Sequence, residues 1–179
     1  MQFSKSGTHL YLTVGDQARV KIFMLPVPLE LQSNSALPSH FVTPVELTSS
    51  GAASALQPLP NGRLLFTLSS FTSPNNVYVL RGLDAFEANF DKQSGSIKGQ
   101  IDQLTHFSED SLRGKDLDAG EDFWFKGANE KDIQGWILKP KGWKAGETKK
   151  WAPLLLIHGG SCYTSGKPFL GGVLTRGIL

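Results

Sequence analysis

Residues 151–160 read Trp-Ala-Pro-Leu-Leu-Leu-Ile-His-Gly-Gly, an apolar run that ends in a small-residue loop. Such a loop does chemistry through its backbone. With 153–157 as a strand, His158, Gly159 and Gly160 leave its end with amide N–H groups free to hold an oxygen on which negative charge develops. Glycine lets the amide approach without a side chain in the way. The chemistry implied is acyl transfer through a tetrahedral intermediate, with these three residues as an oxyanion-hole loop.

A nucleophile should accompany that loop. Only 19 residues follow Gly160, and they contain no Gly-x-Ser-x-Gly, the strained turn that presents a reactive serine. Ser161 and Ser165 lack the flanking glycines of that turn. Cys162 has no histidine placed beside it by the sequence and reads as a loop cysteine rather than a thiol nucleophile. Asp and Glu are spread over turns and read as solvated, so neither paired catalytic carboxylates nor a metal site is expected. The expectation is one wall of an active site, without a cofactor, whose catalytic side chains lie outside this chain.

The elements that must position the loop come in two styles. Residues 9–14 (His-Leu-Tyr-Leu-Thr-Val), a turn at Gly15-Asp16-Gln17 and residues 20–25 (Val-Lys-Ile-Phe-Met-Leu) read as a β-hairpin. A second hairpin runs from 63–69 to 77–80, preceded by the turn Pro60-Asn61-Gly62. Ile22-Phe23-Met24-Leu25 echoes Val77-Tyr78-Val79-Leu80 at a spacing of 55, and Leu47-Thr48 is echoed by Leu104-Thr105. Self-similarity of about that length is the mark of β-propeller blades, each a four-stranded sheet. Residues 84–90 could form one helical turn. From Glu121 the rhythm changes: 121–126 and 133–139 form a hairpin across the turn 127–132, stopped by Pro140. A polar connector, 141–150, then leads to 153–157, whose continuous apolar character suits a strand covered on both faces of a parallel sheet.

Composition narrows the function classes. At 179 residues, 40% hydrophobic, 19% charged and with a net charge of +2, the chain is globular, one domain or parts of two. Its cations are scattered among acids, so no basic stripe exists for a nucleic acid. No window of about 18 apolar residues would span a membrane. The first residues lack the apolar core of a secretory signal, which taken at face value keeps the product in the cytoplasm. One cysteine excludes an internal disulfide.

With propeller-like hairpins upstream, the segments Asp-Phe-Trp-Phe-Lys-Gly-Ala-Asn (122–129), Gln-Gly-Trp-Ile-Leu-Lys-Pro (134–140) and Pro-Leu-Leu-Leu-Ile-His-Gly-Gly (153–160) resemble the prolyl oligopeptidase family of serine peptidases. Within it they are most similar to the fungal dipeptidyl-peptidase V group. The resemblance implies a mainly β chain: partial β-propeller blades over 1–118, the first strands of an α/β-hydrolase domain over 119–160, and a divergent tail over 161–179, where the family's proline after His-Gly-Gly is missing. It implies a fragment of a secreted serine-type dipeptidyl peptidase acting on peptide substrates. The Ser-Asp-His triad of that family would lie beyond this chain, and His158 precedes the place of the triad base, so it reads as a packing residue at a strand end. Two other classes remain: a propeller-type peptide-binding or interaction module, and a fragment of another α/β-hydrolase, an esterase. Unpaired edges and uncovered apolar faces are expected to make the isolated chain prone to aggregate.

Overall fold

Short runs of branched and aromatic side chains, cut by turns whose residues take positive φ, set the architecture. The computed structural model describes residues 1–27, 42–88, 90 and 99–157. Strands β1 (Gln2–Phe3), β2 (His9–Asp16), β3 (Arg19–Pro26) and β4 (Val45–Glu46) form one antiparallel meander. A second is built from β5 (Ala52–Leu59), β6 (Arg63–Ser69), β7 (Asn76–Arg81) and β8 (Gln100–Gln103). A parallel bridge between Val20 and Ala52 links the two into one sheet. The protein is mainly β, as the sequence leads one to expect.

Turn chemistry explains the hairpins. Asn61 and Gly62 have φ of 59° and 56°, the conformation an Asn-Gly hairpin turn requires. Gly62 has a second reason to be glycine, because a Cβ there would lie 2.4 Å from the backbone nitrogen of Asp84. Between β2 and β3 the turn falls on Gln17 and Ala18, with φ of 48° and 54°, rather than on Gly15-Asp16-Gln17. Gly15 and Asp16 stay in the ladder opposite Val20 and Arg19, since a two-residue turn matches the strand twist and lengthens the pairing.

The echo in the sequence is a structural repeat. In the first meander the Ile22 N–H donates to Thr48 Oγ1 at 2.9 Å, and the Leu47 N–H donates to the Ile22 carbonyl at 2.8 Å. In the second, the Val77 N–H donates to Thr105 Oγ1 at 2.8 Å and the Leu104 N–H to the Val77 carbonyl at 2.8 Å. The same Leu-Thr pair thus closes the third strand of each meander.

Side chains alternate across a strand, so each meander has two faces. The first buries the face carrying Tyr11, Ile22, Met24, Val45 and Leu47; the second buries the face carrying Leu64, Phe66 and Leu80, with Tyr78 stacked on Phe66 at 5.9 Å. These two faces meet in one apolar cluster. Helix α1 (Leu83–Glu87) adds Leu83 to it, and Phe90 follows. All of this lies in a compact unit spanning Met1–Arg113.

Gly114–Leu179 is a second unit. A short helix, α2 (Glu109–Leu112), ends just before it. Strands β9 (Glu121–Lys126) and β10 (Asp132–Ile137) pair in register as the expected hairpin, with Lys126 bridging Asp132 at 2.7 Å beside the turn. One face carries Phe123, Phe125, Ile133 and Ile137, all exposed, with the two phenylalanine rings stacked at 5.9 Å. The apolar stretch 154–157 departs from expectation. It lies in no strand, and its four side chains are between 59% and 84% exposed. A buried strand is held by a ladder partner and by layers on both faces, and among the described residues β9 and β10 pair only with each other.

Candidate functional site

The three residues assigned to the oxyanion loop, His158, Gly159 and Gly160, lie outside the described residues, as do Ser161, Cys162 and Ser165. What leads up to them is organised by two carboxylates. Asp118 accepts hydrogen bonds from the backbone N–H groups of Lys139 and Gly120, which tie the entry of β9 to the exit of β10. Those two bonds, Lys139 first, hold its carboxyl below the usual carboxylate range. The Lys139 ammonium meets Glu121 at 2.5 Å and lies 4.5 Å over the Trp143 ring. Further along, Glu147 accepts the Trp151 indole N–H at 2.6 Å and the Lys144 N–H at 3.1 Å, bonds that also lower its pKa, while the Lys149 ammonium sits 3.6 Å above the Trp151 ring. Trp151 is therefore pinned immediately before the apolar stretch.

A second constellation was not legible in the sequence. Glu87, at the end of α1, accepts the Tyr11 hydroxyl at 2.6 Å on one carboxylate oxygen and the Ser6 hydroxyl at 2.9 Å on the other. Ser6 continues to Ser4 at 2.8 Å and to Thr8 at 2.7 Å, and Thr8 Oγ1 lies 2.9 Å from Nδ1 of His9. That imidazole nitrogen is 4.0 Å from Glu87, and the ring packs against Phe90 with centroids 5.5 Å apart. Burial, then the bond to Glu87, pushes the Tyr11 phenol well above its ordinary pKa, so it stays protonated. Its donor role is thereby locked. Ser6 gives its proton to Glu87, so its hydroxyl is committed to a carboxylate rather than to a histidine base. It is a hydrogen-bonded clasp between β2 and α1. Tyr11 and Glu87 are 76 positions apart, and no local signal joins them.

No family model matches the chain. A protein of Aspergillus clavatus bearing the name "Probable dipeptidyl-peptidase 5" is 26% identical to it over 162 residues, covering 89% of this chain and 19% of that protein. The chain therefore spans about a fifth of the length of the relative it matches. Among the described residues, no three His, Cys, Asp or Glu side chains come together in a way that could hold a metal ion. No helix among them is long and apolar enough to cross a membrane.

Proposed function

We propose that this chain is a segment of a serine-type dipeptidyl peptidase of the prolyl oligopeptidase kind, in which the two meanders are propeller blades and β9–β10 with residues 151–160 opens the α/β-hydrolase domain. The observation that carries the reading is the likeness to a dipeptidyl peptidase along 89% of the chain. The order of elements supports it: a four-stranded unit, its repeat, and then an antiparallel pair running into an apolar stretch. In this reading the complete protein is secreted and releases dipeptides from the N-termini of peptides. A serine supplied by the rest of the protein attacks the scissile carbonyl, a histidine takes its proton, and the Gly159 and Gly160 amides hold the oxyanion. This chain contributes no attacking group.

A chimera tests the proposal. Residues 1–160 replace the matched segment of the Aspergillus clavatus protein, and hydrolysis of dipeptidyl chromogenic substrates is followed. Activity abolished by a serine-directed covalent inhibitor is the expected result, with Gly159→Pro, which deletes one N–H donor, lowering kcat by about 10²–10³-fold. A folded but inactive chimera, or one in which Gly159→Pro leaves kcat unchanged, refutes the assignment.

A further inference from the structure

Asn61 and Gly62 are the one Asn-Gly pair in the chain, and they sit at the tip of the β5–β6 hairpin with Asn61 exposed and both residues at positive φ. Such a pair is reactive toward itself. The Gly62 nitrogen can attack the carbonyl carbon of the Asn61 side chain, and glycine brings no Cβ to crowd the five-membered ring that closes. Closure requires Asn61 to turn about its Cα–C bond, a motion that an exposed hairpin tip has and a packed strand lacks.

Asn76 shows the opposite arrangement. It is 3% exposed, and its carboxamide donates to Ser73 Oγ at 2.9 Å and to the Pro74 carbonyl at 3.2 Å. The same carboxamide accepts from Thr105 Oγ1 at 3.2 Å and from the Phe107 N–H at 3.0 Å. The nitrogen that would attack it, that of Val77, is itself bonded to Thr105 Oγ1 at 2.8 Å. The Asn61 carboxamide has no such partners among the described residues.

Gly62 is also where the hairpin tip meets α1. Its carbonyl accepts the Leu83 N–H at 2.9 Å, Leu83 is sealed in the core, and a Cβ on Gly62 would run into the backbone nitrogen and carboxylate of Asp84. A change in main-chain length at this point therefore acts directly on the docking of α1, whose far end carries Glu87 and its bonds to Tyr11 and Ser6.

We propose that Asn61-Gly62 is a self-modification site: the pair deamidates through a cyclic imide, and the isoaspartate that forms releases the start of α1 from the hairpin. In the first step a bond forms between the Gly62 nitrogen and the Asn61 side-chain carbonyl carbon. The bond from that carbon to the side-chain nitrogen breaks, and this nitrogen leaves as ammonia with the Gly62 amide proton. Water then opens the imide. Addition at the side-chain carbonyl gives aspartate; addition at the main-chain carbonyl gives isoaspartate, in which the backbone runs through the former side chain and is longer by one methylene. No electrons are transferred, and water is the only co-reactant. The reaction needs nothing beyond the turn itself, so it stands apart from the peptidase reading.

Ageing the full chain in warm, mildly alkaline buffer tests the proposal. Peptide mapping by mass spectrometry follows Asn61, methyl transfer from S-adenosylmethionine by an isoaspartyl methyltransferase measures isoaspartate, and hydrogen exchange reads the Leu83 amide. Asn61 is expected to convert while Asn76 in the same sample stays intact. Methyl acceptance is expected to be lost in Asn61→Gln, whose ring would need six members. The Leu83 amide is expected to lose protection in the isoaspartate fraction and to keep it in freshly prepared Asn61→Asp, which has the charge without the extra methylene. A folded chain in which Asn61 stays intact while it converts in urea overturns the proposal. So does conversion of Asn76 as fast as that of Asn61, an isoaspartate fraction whose Leu83 amide stays protected, or equal loss of protection in Asn61→Asp.

Discussion

Glu87 has two carboxylate oxygens and uses both, one for Tyr11 and one for Ser6, so a single short helix is tied to the strand and loop that precede it by many residues. Replacing Tyr11 by phenylalanine removes one bond to a charged acceptor and is expected to cost about 1.5–3 kcal/mol, read from urea unfolding. The pH dependence follows from the direction of the shift. A phenol whose pKa is raised by folding contributes stability that is complete below its ordinary value of 10.0 and is lost as pH climbs above it. Lys21, raised by its bonds to Asp16 and then Glu46, acts in the same direction above 10.5. The decline in unfolding free energy above pH 10 should therefore become shallower, without vanishing, in Tyr11→Phe. An unchanged profile would mean that Tyr11 ionises in the folded protein as freely as in the unfolded one.

At the scale of elements, the repeat turns equivalent residues into unequal ones. Leu47→Ala deletes a side chain from a sealed cluster and is expected to cost about 2–5 kcal/mol. Leu104→Ala, made at the matching position where the side chain is half exposed, is expected to fall within about 0.5 kcal/mol. Equal costs would mean that Leu47 and Leu104 are buried alike. The Leu-Thr closure, by contrast, makes the same two main-chain bonds in both, with Thr105 Oγ1 also donating to Asn76 Oδ1 at 3.2 Å, so Thr48→Val and Thr105→Val should each cost about 1 kcal/mol or more. In the second unit, the hairpin ends are tied by the Asp118 carboxylate. Because folding lowers its pKa, the contribution is present above the ordinary 3.8 and disappears as pH falls through the depressed value. Amide signals of Lys139 and Gly120 should lose their hydrogen-bonded shifts together at acid pH, and Asp118→Asn should show that loss already at neutral pH. Separate titration of the two amides would contradict a shared carboxylate.

For the molecule as a whole, the common theme is exposed apolar surface: Leu104 after the second meander, the aromatic face of the β9–β10 hairpin and residues 154–157. Repeat architectures bury a continuous core only by stacking, and their outermost faces must be capped or occupied. The sequence by itself determined what depends on neighbours along the chain: both β2–β3 and β6–β7 as hairpins, the Asn61-Gly62 turn, the hairpin from Glu121, and the 55-residue echo, because alternation and turn chemistry are local. Strands β5 and β8 escaped it, since Ala-Ala-Ser-Ala-Leu-Gln-Pro-Leu and Gln-Ile-Asp-Gln become strands by pairing with β6 and β7 rather than by their own preference. Only the tertiary structure decided which face of each meander is buried, which brought Ser6, Tyr11 and Glu87 together, and whether 154–157 is a strand. Burial and pairing belong to partners, and an apolar run becomes a sheet strand only where another strand and a covering layer meet it.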